Sequence, residues 1–281
     1  MSSDLFSQKI SFIGGGNMAA AIISGLISKN FSKSQITVSE PWEVNRQKMA
    51  DLGVQTTTNN LEAATGANII ILAVKPQVAK AVCEELGSSD WSGAERPVLV
   101  SIAAGITRKS LAEWSTGKDG KALPIVRVMP NTPALLGEGA SGLYAGDEVS
   151  ETQRKQVDTL LQSVSRATEW VEKEELLDVV TGLSGSGPAY FFAFVEHLIE
   201  SATALGLGRE QATRLAAQTC LGAGKMLVES SETPTQLRKN VTSPNGTTQA
   251  ALETLEKEGL KEIVDKAVKA ATSRSEELGK A

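Results

Sequence analysis

Between Asn240 and Leu255 the chain reads NVTSPNGTTQAALETL. Hydroxyls, amides and turn formers are crowded together and lead straight into a helical apolar pattern. No histidine, cysteine, lysine, aspartate or glutamate occurs there before Glu253. Such a stretch has little acid–base capacity, so the chemistry open to it is binding. Ser243, Gly246, Thr247 and Thr248 open a helix, where free backbone N–H groups and hydroxyls can hold a carboxylate. The plainer alternative is a surface helix cap, which uses the same residue types.

A second constellation lies near the start, in KISFIGGGNMAAAIISGLI from Lys9. Ile10, Phe12 and Ile13 form a short buried strand. Gly14, Gly16 and Ala19 then match G-x-G-x-x-A, and apolar residues continue at helical spacing from Met18. Gly14 permits a tight strand-to-helix turn, Gly16 lets a pyrophosphate approach the backbone, and Ala19 lets helix and strand pack closely. The N–H groups at the helix start face the phosphates. A following strand, QITVSE, ends in Glu40, where an acidic residue can bond a ribose hydroxyl. Glu40 favours the free hydroxyls of NAD, whereas Arg46 can pair with a 2′-phosphate. Glu40 as a helix cap and Arg46 as a solvated helix residue are the alternatives. Lys75 stands at a later strand end, where a cation can meet phosphate or ribose or can simply face solvent.

The bulk numbers narrow the classes. A chain of 281 residues with 41% hydrophobic and 22% charged content is long enough for two packed units. A net charge of −5 leaves no electrostatic footprint for nucleic acid. The longest apolar run, ANIIILAV, is too short to cross a bilayer. The start, MSSDLFSQK, lacks the apolar core of a signal peptide, so the expected location is the cytoplasm. Cys83 and Cys220 suit apolar positions in a reducing compartment better than a disulfide framework. The single histidine, His197, argues against a histidine base, and no metal-ligand spacing is present. His197 follows Phe191, Phe192 and Phe194 in a helical pattern, which reads as a packed structural position.

The elements that must position these residues follow from periodicity. Strands alternate with helices through ANIIILAV, QVAKAVCEEL, VLVSIAA, Thr107 to Trp114 and IVRVMPN, which implies a parallel, doubly wound sheet. Ligands lie beyond the C-terminal ends of such strands. AVKP (Ala73 to Pro76), SIAAG (Ser101 to Gly105) and MPNTP (Met129 to Pro133) fall there. Strands around SGLYA and ATEWV, with a helix over Gln153 to Val164 between them, complete this part. Beyond Glu172 the period is helical almost throughout. Pro188 opens one helix, where its missing N–H costs nothing, and the last runs from about Leu260 to Leu278. Small residues such as Ala216, Ala217, Gly222 and Ala223 favour close helix contact. The expectation is an α/β chain: a doubly wound domain over residues 1–171, then an all-α dimerisation domain over 172–281 that also contains the NVTSPNGTT stretch.

The ordered set FIGGGNMA, AVKP, SIAAG, MPNTP, TGLSGSGPAY and NVTSPNGTT resembles the pyrroline-5-carboxylate reductases across nearly the whole chain. The resemblance implies a Rossmann domain and a helical domain that interlocks in a homodimer, with dimers building decamers in some members. It implies reduction of L-1-pyrroline-5-carboxylate to L-proline with NADPH or NADH. It places the dinucleotide on Ile13, Gly14, Gly15, Gly16, Asn17 and Met18, beside Ala73, Val74, Lys75 and Pro76. Asn60 matches a position at the adenosine part and Ala104 one near the nicotinamide ribose. Asn240, Thr247, Thr248 and Glu172 match positions around the substrate. Asn245 stands where the family often has glycine, and asparagine tolerates the left-handed backbone such a turn needs. The SEPWEVNR segment differs from the Asn-Arg start of many members. A β-hydroxyacid dehydrogenase would need a lysine that SGSGPAYFFAFVEHL does not offer. A non-catalytic nicotinamide sensor would have no use for the SPNGTT turn.

Overall fold

A computed structural model describes residues 5–89, 91 and 96–280. The elements of the first part are β1 (Ile10–Ile13), α1 (Asn17–Ser28), β2 (Ile36–Ser39), α2 (Glu43–Asp51), β3 (Gln55–Thr57) and α3 (Asn60–Ala64). Then come β4 (Ile69–Leu72), α4 (Pro76–Gly87), β5 (Val98–Ser101), α5 (Arg108–Trp114), β6 (Ile125–Met129) and β7 (Gly139–Ala145). The series ends with α6 (Glu151–Leu161), β8 (Ser165–Trp170), α7 (Leu176–Val180) and a π-helical turn over Thr181–Gly185. The second part holds α8 (Gly187–Ala204), α9 (Arg209–Glu229), α10 (Pro234–Asn240), α11 (Thr247–Lys257) and α12 (Leu260–Leu278).

The eight strands form one sheet in the order β3-β2-β1-β4-β5-β6-β7-β8. Ile10 pairs with Ile36 on one side and with Ile69 on the other, both parallel. The strand order therefore reverses between β1 and β4, the switch point at which doubly wound sheets open a crevice. Alternation along the strands builds two cores. Ile10, Phe12, Ile69, Ile71, Val98 and Val100 face one layer, which includes Ile22 and Ile23 of α1. Ile13, Ile70, Leu72, Leu99 and Ile125 face the other, with Val82 and Leu86 of α4. A strand buried on both faces needs the unbroken apolar run that IIIL provides.

The sheet departs from the all-parallel expectation at one place. β6 and β7 run antiparallel. Only a short 3₁₀ turn, Thr132–Leu136, joins them, and a parallel return requires a longer crossover. β3, a three-residue edge strand of Gln and Thr, was not foreseen either.

Contacts divide the chain into two compact units. One runs to Gly185 and takes in the last turns of α12 from Ala271; the other is Ser186–Ala270. On the first unit, Ser275 Oγ donates to Asp178 Oδ1 at 2.6 Å, and Leu278 packs on Gly105. In the second unit α8 and α9 pack side by side, yet few of its side chains are buried. Phe191 is 62% exposed, Phe192 68% and Val228 80%. His197, expected as a packed histidine, is exposed on α8, with Nδ1 3.1 Å from Glu200 Oε2. These helices carry more apolar surface than one chain covers. No helix among the described residues is long and apolar enough to cross a membrane.

Cys83 lies fully buried in α4. Burial, assisted by the Glu84 charge, pushes its thiol from the ordinary 9.0 up to about 12. The thiolate is the reactive form, so Cys83 is expected to resist alkylation at pH 8 until the protein unfolds. Its raised value also contributes stability that is present below pH 9 and lost as pH climbs toward 12. Mass spectrometry of peptides labelled before and after denaturation checks the first point; native labelling at Cys83 would contradict it.

Candidate functional site

The glycine loop joins β1 to α1 at the switch point. Gly14 has φ +101, a backbone that side chains rarely tolerate. A Cβ there would lie 2.6 Å from the Ala73 carbonyl oxygen. The backbone on both sides is fixed: the Gly14 N–H donates to Ser39 O at 2.8 Å and the Ala73 N–H to Ile13 O at 2.8 Å. Gly16 is the N-cap of α1, with no side-chain cap and nothing within 4 Å of where a Cβ would stand. The first-turn amides of Asn17 and Met18 are thus presented without a competing side chain, the arrangement that suits a pyrophosphate. Ile13 is buried beneath them.

Around this loop stand the other expected residues. Ala73 and Val74 flank Gly14 directly. Lys75 is the exposed N-cap of α4 and Pro76 its first residue. Asn60 opens α3, with its Oδ1 accepting from Ser39 Oγ and its Nδ2 donating to Glu85 Oε2, both at 2.7 Å. Ala104 is exposed in the turn after β5, next to Gly105 with φ +74. The fit to a dinucleotide is therefore local and specific: a glycine cradle, an uncapped helix start and an open small-residue turn, all at strand C-terminal ends.

Glu40 and Arg46 are engaged with the protein itself. Glu40 is 7% exposed. Its Oε2 accepts from the Gly15 N–H at 2.7 Å and its Oε1 from the Trp42 N–H at 2.9 Å. Arg46 Nη1 donates to the carbonyls of Glu40 and Pro41, each at 3.0 Å. Together they brace the β2–α2 turn against the glycine loop. The sequence weighed Glu40 as a reader of the ribose or a helix cap, and Arg46 as a reader of the 2′-phosphate or a solvated helix residue; the bonds to Gly15 and to the Glu40 and Pro41 carbonyls were not visible there.

The second constellation lies wholly in the second unit. Asn240 ends α10, its Nδ2 donating to Glu232 Oε2 at 2.8 Å and its Oδ1 accepting from Gln236 at 2.7 Å. The Gly246 N–H closes a turn on Ser243 O at 3.0 Å. Asn245 sits within it at φ +57, the left-handed backbone expected of it. Its N–H is held by Gln249 Oε1 at 2.8 Å. Gly246 is the N-cap of α11 and provides no side-chain cap. The N-cap therefore puts no side chain over the first-turn amides of Thr247 and Thr248, and Thr248 is half-buried. Glu172 belongs to the first unit, exposed in the turn between β8 and α7.

One residue of the MPNTP stretch has a role that its position at a strand end did not reveal. Asn131 is buried, accepts from the Ala140 N–H at 2.9 Å and donates to Ser184 O at 3.1 Å. It thereby fixes the π-helical turn, a rare geometry often found near functional sites. Asn131→Ala leaves both backbone groups without this partner and should cost about 1–3 kcal/mol. A denaturant midpoint unchanged from wild type would sink that assignment.

A glycine cradle at the switch point of a doubly wound sheet, followed by a helical unit, defines a Rossmann-type dinucleotide-binding protein. Residues 9–105 match the family described as NADP oxidoreductase coenzyme F420-dependent, and residues 174–278 match pyrroline-5-carboxylate reductase dimerisation. The pyrroline-5-carboxylate reductase of Pseudomonas aeruginosa is 45% identical over 275 residues, 97% of each chain. A solved pyrroline-5-carboxylate reductase from Coxiella burnetii superposes with a TM-score of 0.91 at 40% identity, covering 98% of this chain and 100% of that one. The Plasmodium falciparum enzyme, solved with NADP bound, gives 0.82 at 32% identity, covering 97% and 98%. The chain belongs to the pyrroline-5-carboxylate reductase family.

Proposed function

We propose that the chain reduces L-1-pyrroline-5-carboxylate to L-proline by hydride transfer from NADPH, with NADH as an alternative donor. The observation that carries this reading is the Ser243–Thr248 turn at the uncapped start of α11, in a chain that also holds a glycine loop at the switch point of its sheet. The substrate is a cyclic imine bearing a carboxylate. Amides of Thr247 and Thr248, with the Ser243 hydroxyl beside them, suit the carboxylate. An imine nitrogen is more basic than a ketone oxygen and can arrive protonated, so the chain needs no strong acid. When bound, the reduced nicotinamide supplies the hydride to the imine carbon. The Thr248 hydroxyl accepts a hydrogen bond from the ring N–H and orients the ring. Asn240 and Glu172 are assigned to the substrate surroundings, and residues 1–171 and 172–281 to coenzyme and substrate work respectively.

The exposed apolar helices of the second unit support a homodimer, from which a decamer can be built. Cytoplasmic location is proposed on composition. The test is to mix the purified protein with racemic pyrroline-5-carboxylate and follow nicotinamide oxidation and proline formation, with NADPH and NADH in parallel. No oxidation by a folded, coenzyme-binding protein would overturn the reading.

A further inference from the structure

Trp42 is not absorbed by any role described above. It is 71% exposed and is the N-cap of α2, where it makes no side-chain cap. Polar residues fill that position in most helices because they satisfy a first-turn N–H. Here the chain forgoes the cap and presents a large ring to solvent. The backbone that carries the ring is held from both sides. The Trp42 N–H donates to Glu40 Oε1, and the other oxygen of that carboxylate accepts from Gly15. The Trp42 carbonyl accepts from the Arg46 N–H at 2.9 Å, while the Arg46 side chain ties down Glu40 and Pro41. One carboxylate thus couples the position of Trp42 to the loop that receives the pyrophosphate.

The place in the sheet decides which half of a dinucleotide this ring can meet. Trp42 follows the C-terminal end of β2, on the β3-β2-β1 side of the switch point. The open Ala104 turn follows β5, on the other side. The phosphates lie between, at the glycine loop. The end of β2 therefore serves the adenosine half. We infer that Trp42 is a stacking platform for the adenine ring of the coenzyme, pre-set by the Glu40 clamp. A planar heteroaromatic base stacks on an indole face with useful affinity and little demand on hydrogen bonding. The inference rests on the dinucleotide reading of the fold and deepens it.

The test uses the full-length protein with W42A and W42F, and four probes: NADPH, NADH, ADP-ribose and reduced nicotinamide mononucleotide, which lacks the adenine. In W42A the preference for NADPH over reduced nicotinamide mononucleotide, as a ratio of kcat/KM values, should shrink by about tenfold. ADP-ribose should bind about tenfold more weakly, while W42F keeps most of both. ADP-ribose should also quench wild-type tryptophan emission, and that component should vanish in W42F. Thermal melts of the variants exclude simple misfolding. An unchanged ratio and unchanged ADP-ribose affinity in W42A overturn the inference, as does a change in subunit assembly alone. Should wild type fail to reduce pyrroline-5-carboxylate, the proposed activity falls, and the ADP-ribose titrations still decide the case of Trp42.

Discussion

Gly14→Ala is expected to melt at a lower temperature than wild type and to lose coenzyme binding. Two penalties combine. The backbone at φ +101 is strained for any residue with a Cβ. The added atom would also lie 2.6 Å from Ala73 O and 2.8 Å from the Ala73 carbonyl carbon. Neither neighbour is a flexible side chain. Ala73 is fixed by its bond to Ile13 O and Gly14 by its bond to Ser39 O, so relief requires β1 and β4 to separate at the crevice. The expected cost is about 2–5 kcal/mol. Gly16→Ala makes the contrast. Gly16 has φ −75 and open space around it, so alanine there should leave the melting temperature near wild type while weakening coenzyme binding, because the new methyl group stands where a pyrophosphate approaches. Calorimetry for stability and titration with NADPH separate the two effects. Equal melting temperatures for Gly14→Ala and wild type would mean that the strand-end geometry is softer than these contacts require.

What the sequence carried and what it withheld follow a physical division. Runs such as IIIL and VLVS declare buried strands because their partners cover both faces. The turn glycines declare themselves because few other residues fit. Local patterning also placed α12 at Leu260–Leu278 and Pro188 at a helix start. Pairings between distant residues have no local signature. Nothing in SEPWEVNR says that the Glu40 carboxylate bonds Gly15, and nothing in MPNTP says that Asn131 reaches Ser184. β3 escaped notice because Gln55, Thr56 and Thr57 form an edge strand without the apolar alternation that marks a buried one. The antiparallel β7 was hidden because its direction depends on the length of the connection, not on the strand's own residues.

Exposure makes the same point in the second unit. Phe191, Phe192 and Phe194 stand in an apolar helical pattern that suits a core and an interface alike, two outcomes that periodicity cannot tell apart. Their exposure in one chain favours the interface. His197 shared that helix and was expected to be packed; its side chain instead faces Glu200.

Thr248→Ala is expected to lower turnover by about 10- to 150-fold, corresponding to about 1.5–3 kcal/mol for one hydrogen bond to a charged ring. Among the described residues the Thr248 hydroxyl has no partner, so its removal breaks no bond within the chain. Thr248 is half-buried in the first turn of a helix whose cap is Gly246, and alanine is fully compatible with that helix. Stability should therefore hold while catalysis falls. Coenzyme affinity should also hold, because the glycine loop is built from Gly14 to Gly16 against Ala73 and Val74 and takes no residue from α11. Thr248→Ser retains the hydroxyl and should recover most of the rate, whereas Thr248→Val retains the shape and should not. This pattern distinguishes a hydroxyl that orients the ring from a methyl group that merely fills space. If valine instead recovers the rate and serine does not, Thr248 positions the substrate by packing. The carboxylate would then be held by the first-turn amides of α11, with no side-chain hydroxyl directing the imine.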